Sequence, residues 1–207
     1  MAIIIDTGNS GDRSYSQLST QIAKWMNRGD LATFIPDFVT NAEARIATDL
    51  RLRRMIVRTT LAVSIDSAAP LPEGWLEFET IALDGDDLDF MPMRQLTGRF
   101  RGCSGVPACY SIEGEQIFFG PSPDGAYSVD VSYYKQLESL ASSGTNWLLT
   151  AKPNLYLYAA LAEASLFVKK PDDANYWGGL YSGLVEALQV EDDAATSSGG
   201  ALRVRAK

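Results

Sequence analysis

The chain contains no histidine. That removes the Ser-His-Asp and Cys-His nucleophilic arrangements, and with them the commonest general base and metal ligand near neutral pH. Cysteine is almost as scarce. Cys103 and Cys109 are the two present, and one such pair without histidine cannot complete a zinc site, so they read as two reduced thiols. No run approaches the roughly 20 apolar residues that span a bilayer. The opening Met1-Ala2-Ile3-Ile4-Ile5 has no basic flank and is ended by Asp6, so it reads as a short strand or docking arm rather than a signal peptide. Positive charge is in deficit: 18 Lys and Arg stand against 26 Asp and Glu, a net charge of −8. A general nucleic-acid binder carries a basic face. An acidic surface instead repels DNA and discourages sticking to it.

What is present suits a folded core. The 207 residues are 46% hydrophobic, enough for one large domain or two small ones. Residues 14–27 read as a helix, with Ser14 or Ser16 as cap and Leu18, Ile22, Trp25 and Met26 on one stripe. A second helical run covers about 31–53, with Pro36 splitting off its first turn. It is expected to end in Arg51-Leu52-Arg53-Arg54, cations that suit a helix C-terminus.

From Met55 to about Leu137 the pattern becomes β-rich. Tyr110–Ile112 and Gln116–Phe119 read as a hairpin turning at Glu113-Gly114, and Tyr127–Tyr134 alternates as a strand does. Helices return at Pro153, with Leu155, Tyr158, Ala159, Ala162 and Leu166 as the apolar face, and at Pro171-Asp172-Asp173. The last helix carries Trp177, Leu180, Tyr181, Leu184, Val185 and Leu188, while Gly178, Gly179 and Gly183 point to close backbone packing. Residues 191–200 read as a flexible linker by composition. The tail Ala201-Leu-Arg-Val-Arg-Ala-Lys207 is basic and β-prone, either an arm for a partner or a frayed end.

The expected fold class is therefore α+β. A four-helix bundle is built from residues 1–54 and 147–192, with an antiparallel β-rich insertion over 55–146 and a linker with C-terminal arm over 193–207.

Few motifs carry chemistry. Asp84-Gly-Asp-Asp-Leu-Asp89 suggests calcium, but the fifth and sixth loop positions are Leu88 and Asp89 where an EF-hand needs an acid and a glycine, so a solvated turn is the better reading. Gly98, Gly102 and Gly105 match no phosphate or dinucleotide fingerprint. Gly102-Cys-Ser-Gly-Val is not a nucleophile elbow. Glu113 and Glu115 could serve as paired carboxylates but flank a turn, where solvated acids are the rule. No catalytic, metal or cofactor residue is assigned. The dense basic cluster Arg45, Arg51, Arg53, Arg54 and Arg58 suits nucleic acid or ion pairing, and the acidic whole favours pairing within or between subunits.

Three segments carry a resemblance: Tyr15–Arg28, Ile35–Arg51, and Asn154–Phe167 with the following Pro171–Leu188. Together they resemble the head-to-tail adaptor (connector) proteins of tailed bacteriophages, the group similar to tail tubular protein A of short-tailed phages. The resemblance implies a structural role without enzymatic activity. It implies a homo-oligomeric ring of about twelve copies that joins the portal protein to the tail nozzle protein at the head–tail junction of the virion, assembled in the host cytoplasm. DNA would pass through the channel during ejection without sequence-specific binding, and no membrane would be involved. By the same resemblance a C-terminal arm, here Leu202, Arg203, Val204 and Arg205, would dock on the portal. Two other classes remain open: a carboxylate-based cell-wall hydrolase of a tail, and a small α+β ligand-binding domain.

Overall fold

The computed structural model describes residues 13–65 and 68–197. In chain order these form α1 (Tyr15–Met26), a 3₁₀ turn (Gly29–Phe34), α2 (Ile35–Asp49), a second 3₁₀ turn (Arg53–Met55), β1 (Ile56–Val63), β2 (Ala68–Pro70), β3 (Trp75–Leu83), β4 (Asp86–Asp87) and β5 (Asp89–Phe90). There follow α3 (Met93–Arg99), β6 (Ser104–Gly105), β7 (Cys109–Glu113), β8 (Gln116–Gly120), β9 (Ser122–Pro123) and β10 (Tyr127–Lys135). The chain closes with α4 (Leu140–Ser143), α5 (Trp147–Ala151), α6 (Pro153–Phe167) and α7 (Pro171–Ser197). The fold is α+β. It divides into two compact units, one holding the residues up to Leu50 and from Leu137 onward, the other Arg51–Gln136. The boundaries at 50/51 and 136/137 sit earlier than the expected 54/55 and 146/147, because α2 stops at Asp49 and α4 belongs with the helices.

In the helical unit, α6 packs against α1, α2, α5 and α7. It is buried nearly all round, with Leu155, Tyr156, Leu157, Ala159, Ala160, Leu161, Ala162 and Ala164 inside. A helix apolar on every side is one that is enclosed, so the single apolar face expected from periodicity is a correction here. Leu166, assigned to that face, is 55% exposed. Helix α1 opens with a capping box: the Gln17 N–H donates to Ser14 Oγ at 3.3 Å and the Ser14 N–H donates to Gln17 Oε1 at 3.1 Å. These contacts satisfy amides that the first turn otherwise leaves unpaired. It closes on Asn27 in the left-handed region rather than on Gly29, a conformation asparagine tolerates.

Helix α2 stops at Asp49 with Leu50 as its cap. Arg51, Arg53 and Arg54 therefore lie beyond it rather than at its end as expected, and its last turn holds no basic residue. Helix α7 runs to Ser197, so residues 193–197, expected in the linker, are helical; the remaining residues 198–207 lie outside the described ones. So do residues 1–12, with the Ile3–Ile5 run.

In the β unit, one sheet has the order β1-β10-β3-β4 and the other β2-β8-β7-β5, with β6 and β9 pairing separately. All pairings are antiparallel except β5 with β7 and β6 with β9. Alternation decides the faces: Val129, Val131 and Tyr133 of β10 enter a core with Val63, Ile81, Leu83, Ile117 and Phe119, drawn from both sheets. The turn between β3 and β4 is Asp84-Gly85, both at positive φ, the conformation a two-residue hairpin needs. The hairpin β7–β8 turns at Gly114-Glu115, since Glu113 pairs with Gln116; this is one residue later than the expected Glu113-Gly114, because Gly114 supplies the positive φ. The segment expected to be β-rich also contains a helix, α3, which packs on β7 and β8.

Candidate interaction surfaces

The basic cluster separates between the two units. Arg45, on α2, pairs with Glu163 of α6 at 3.4 Å and lies over the Tyr181 ring, 5.4 Å from its centroid. The Tyr181 hydroxyl in turn donates to Asp49 Oδ2 at 3.0 Å. Burial first, then the Asp49 charge and the hydrogen bond to it, push the Tyr181 phenol well above its usual range, while Arg45 opposes the shift. This network ties α2 to α6 and α7. Arg51 pairs with Glu77 at 3.3 Å inside the β unit, and Arg53 and Arg54 are exposed on the 3₁₀ turn. Intramolecular pairing thus accounts for Arg45 and Arg51.

Arg58 of β1 lies on the polar face of the first sheet. Pairing aligns Arg58 with Ser132 and Thr80, and Thr60 with Asp130 and Ala82. They border a shallow depression of about 440 Å³. Inside it the Thr60 hydroxyl donates to Asp130 Oδ1 at 3.0 Å, and the Ser132 hydroxyl donates to Glu79 Oε2 at 2.6 Å. Two of its hydroxyls are thereby engaged, and it lacks the apolar walls of a small-molecule pocket. Cys103 is exposed and Cys109 buried, both as free thiols. Among the described residues no cluster of three or more Cys, Asp or Glu could hold a metal ion. Glu113 and Glu115 are exposed at the β7–β8 turn. Leu202, Arg203, Val204 and Arg205 lie outside the described residues.

Sequence reading missed an apolar exterior on the helical unit. Trp25, placed on the core stripe, is 49% exposed and packs at 5.5 Å against Trp177, whose ring stacks on Tyr158 at 5.8 Å. The Phe34 and Phe167 ring centroids are 4.8 Å apart and both residues are exposed, as is Leu166, next in sequence to Phe167. Along α7 the buried residues are Ala174, Tyr181, Val185 and Leu188. On the other side Tyr176, Gly179, Leu180, Gly183, Ala187 and Val190 are all exposed. The glycines expected to permit close packing do not serve this chain's own core: a methyl group added at Gly178, Gly179 or Gly183 would meet nothing within 4 Å. Large exposed apolar areas of this kind mark protein–protein contact.

Such a molecule belongs to the class of assembly components: an α+β chain whose distinctive surfaces are apolar helical faces. The chain belongs to the SU10 adaptor protein family, whose model it matches over residues 13–205. No curated protein sequence matches it. The family supports a phage head-to-tail adaptor role, a structural part of the virion associated with portal and tail components. Among the described residues no helix is long and apolar enough to cross a membrane.

Proposed function

We propose that this adaptor assembles as a ring of about twelve copies between portal and tail nozzle and continues the DNA channel, as the tail tubular protein A group is understood to do. The observation that carries the reading is the adaptor-family match over nearly the whole chain. In this reading α1, α2, α6 and α7 form a four-helix wall segment of the ring, and the β unit of Arg51–Gln136 reaches toward neighbours or tail parts. The segment 198–207 is the arm that docks on the portal through Leu202, Arg203, Val204 and Arg205. Its alternating apolar and cationic residues suit addition as a strand, and ordering on contact costs conformational entropy only when the partner is present. The net charge of −8 keeps a DNA conduit from gripping its cargo. Within the basic cluster, Arg58 is exposed on β1 and is the residue this reading offers for contacts between subunits. Assembly takes place in the host cytoplasm before the particle is complete.

The test is a pull-down on purified portal rings, followed by native mass measurement. The full chain is expected to bind as a multimer, and a chain lacking residues 198–207 to lose attachment. No binding of the full chain to portal rings would overturn the adaptor reading, and equal binding of the truncated chain would overturn the role of the arm. The exposed, turn-borne Glu113 and Glu115 give the hydrolase alternative no support, and a zymogram that clears cell wall would revive it.

A further inference from the structure

We propose that the outward face of α7 receives a second copy of this chain, which presents its Phe34–Leu166–Phe167 patch. This rests on the ring-forming reading above and names the surfaces that make the ring. Tyr176, Gly179, Leu180, Gly183, Ala187 and Val190 recur at spacings of three and four, so they form one stripe along the helix. It lies opposite the face that holds Tyr181 and Val185 in the core. Tyr176 is 62% exposed and Val190 68%, so the stripe carries large apolar groups and is not merely a row of small residues. At its middle, Gly179 and Gly183 leave a hollow. Glycine weakens a helix interior relative to alanine, and among the described residues nothing lies within 4 Å of a methyl group placed at either glycine. The hollow is explained by a neighbour that approaches the helix closely.

The complement is on the same molecule. Phe167 at the end of α6 and Phe34 at the end of the first 3₁₀ turn form a pair of exposed rings with centroids 4.8 Å apart, and the Phe38 ring lies 5.5 Å from Phe167. Charge agrees with shape. Exposed Lys169 follows the aromatic pair, with Lys170 beside it held by Asp173 of its own chain at 3.7 Å, whereas exposed Asp172 and Glu186 flank the α7 stripe. Knob and hollow are different surfaces, so each copy uses one surface toward each neighbour. Such a head-to-tail contact closes into a ring when its rotation permits.

The experiment uses full-length chains with portal rings, read by native mass measurement. Gly183→Leu fills the hollow and should leave the monomer folded, because leucine favours helix and meets no obstacle there. Phe167→Glu removes the knob. Each variant alone is expected to lose copy–copy association at least tenfold. Mixed, they are expected to form a pair through the one intact combination and to go no further. Circular dichroism and thermal melting identify any variant that has not folded, and Gly179→Leu is the second variant for the hollow. If the wild type assembles and both single variants assemble equally well, this inference fails while the ring reading stands. If the wild type does not assemble at all, the ring reading fails and this inference with it. If filling the hollow abolishes portal attachment but not self-association, the occupant is the portal and the inference is overturned.

Discussion

Gly120 offers a sharp test of how α3 is held on the β unit. It ends β8 and is not in the left-handed region, so alanine is conformationally acceptable there. On backbone grounds alone Gly120→Ala would stabilise by about 0.4–1 kcal/mol, because it restricts the unfolded chain. Packing opposes this. The added methyl would lie 2.7 Å from Phe100 Cδ2 and 3.0 Å from Leu96 Cγ, well inside contact distance. Leu96 is 5% exposed and has little room to retreat, so the helix itself must move. Overpacking of this kind costs about 1–3 kcal/mol, which leaves a net loss on the order of 1–2 kcal/mol. The assay is urea unfolding of the full chain, with hydrogen exchange of β-unit amides to localise the change. Gly98→Ala is the control: Gly98 is inside α3 and a methyl there meets nothing within 4 Å, so the same exchange should stabilise. Trimming the obstacle, in Gly120→Ala with Phe100→Leu, should restore part of the loss. A Gly120→Ala midpoint equal to or above that of the wild type would refute the packing argument.

Two further substitutions probe the helical unit. Tyr156 is 1% exposed and accepts a hydrogen bond from Asn146 Nδ2 at 2.8 Å; burial, with the Glu43 charge adding and the Asn146 bond opposing, pushes its phenol from 10 up to about 12. Because the folded value lies above the unfolded one, its contribution is intact below about pH 10 and is lost as pH rises toward 12, by about 2–3 kcal/mol at most. Tyr156→Phe should flatten that alkaline loss in pH-dependent denaturation, leaving the share due to Tyr181, and an unchanged slope would show that Tyr156 does not supply it. Glu43 accepts from the Leu140 N–H at 2.7 Å and from the Ser139 hydroxyl at 2.9 Å. Glu43→Ala leaves the amide of a fully buried residue without that partner and should cost about 1–3 kcal/mol. Glu43→Gln keeps an acceptor and should cost less, so equal melting temperatures for the two would contradict the role.

The elements that could be read from sequence are those whose own pattern decides them. Leu18 and Ile22 of α1, Phe38, Val39, Ala42 and Ile46 of α2, and Val129, Val131 and Tyr133 of β10 are buried as their periodicity requires. The Asp84-Gly85 turn follows from local conformational preference. Helix α3 could not be read, because seven residues with one buried side chain, Leu96, give periodicity too few positions. Helices α4 and α5 are shorter still and begin on side-chain caps, Ser139 and Asn146, within a serine-rich stretch that reads equally well as a loop. The extension of α7 through Glu191–Ser197 escaped notice because acidic and small residues suggest a linker, although Ala194 and Ala195 favour helix and Glu191 is tied to Lys152 at 2.9 Å.

The surfaces were harder to read than the core for a related reason. Periodicity shows that a residue belongs to an apolar stripe, but not whether the stripe meets its own chain. Helix α7 has two stripes, one through Tyr181 and Val185 and one through Tyr176, Leu180 and Val190. In sequence they merge into a single broad apolar run, and Leu180 was assigned to the core. Its glycines then looked like an aid to internal packing. Only the fold separates the faces, placing Gly179 and Gly183 on the outside with open space around them. In a subunit built to stand beside copies of itself, part of the surface is another subunit's interior and carries core-like residues. Glycines that look misplaced in an exposed helix are then the informative ones, because their conformational cost has no return within the monomer. That reasoning requires filling Gly183 to strengthen the isolated chain and weaken the assembly, opposite signs that a merely tolerated surface glycine would not produce.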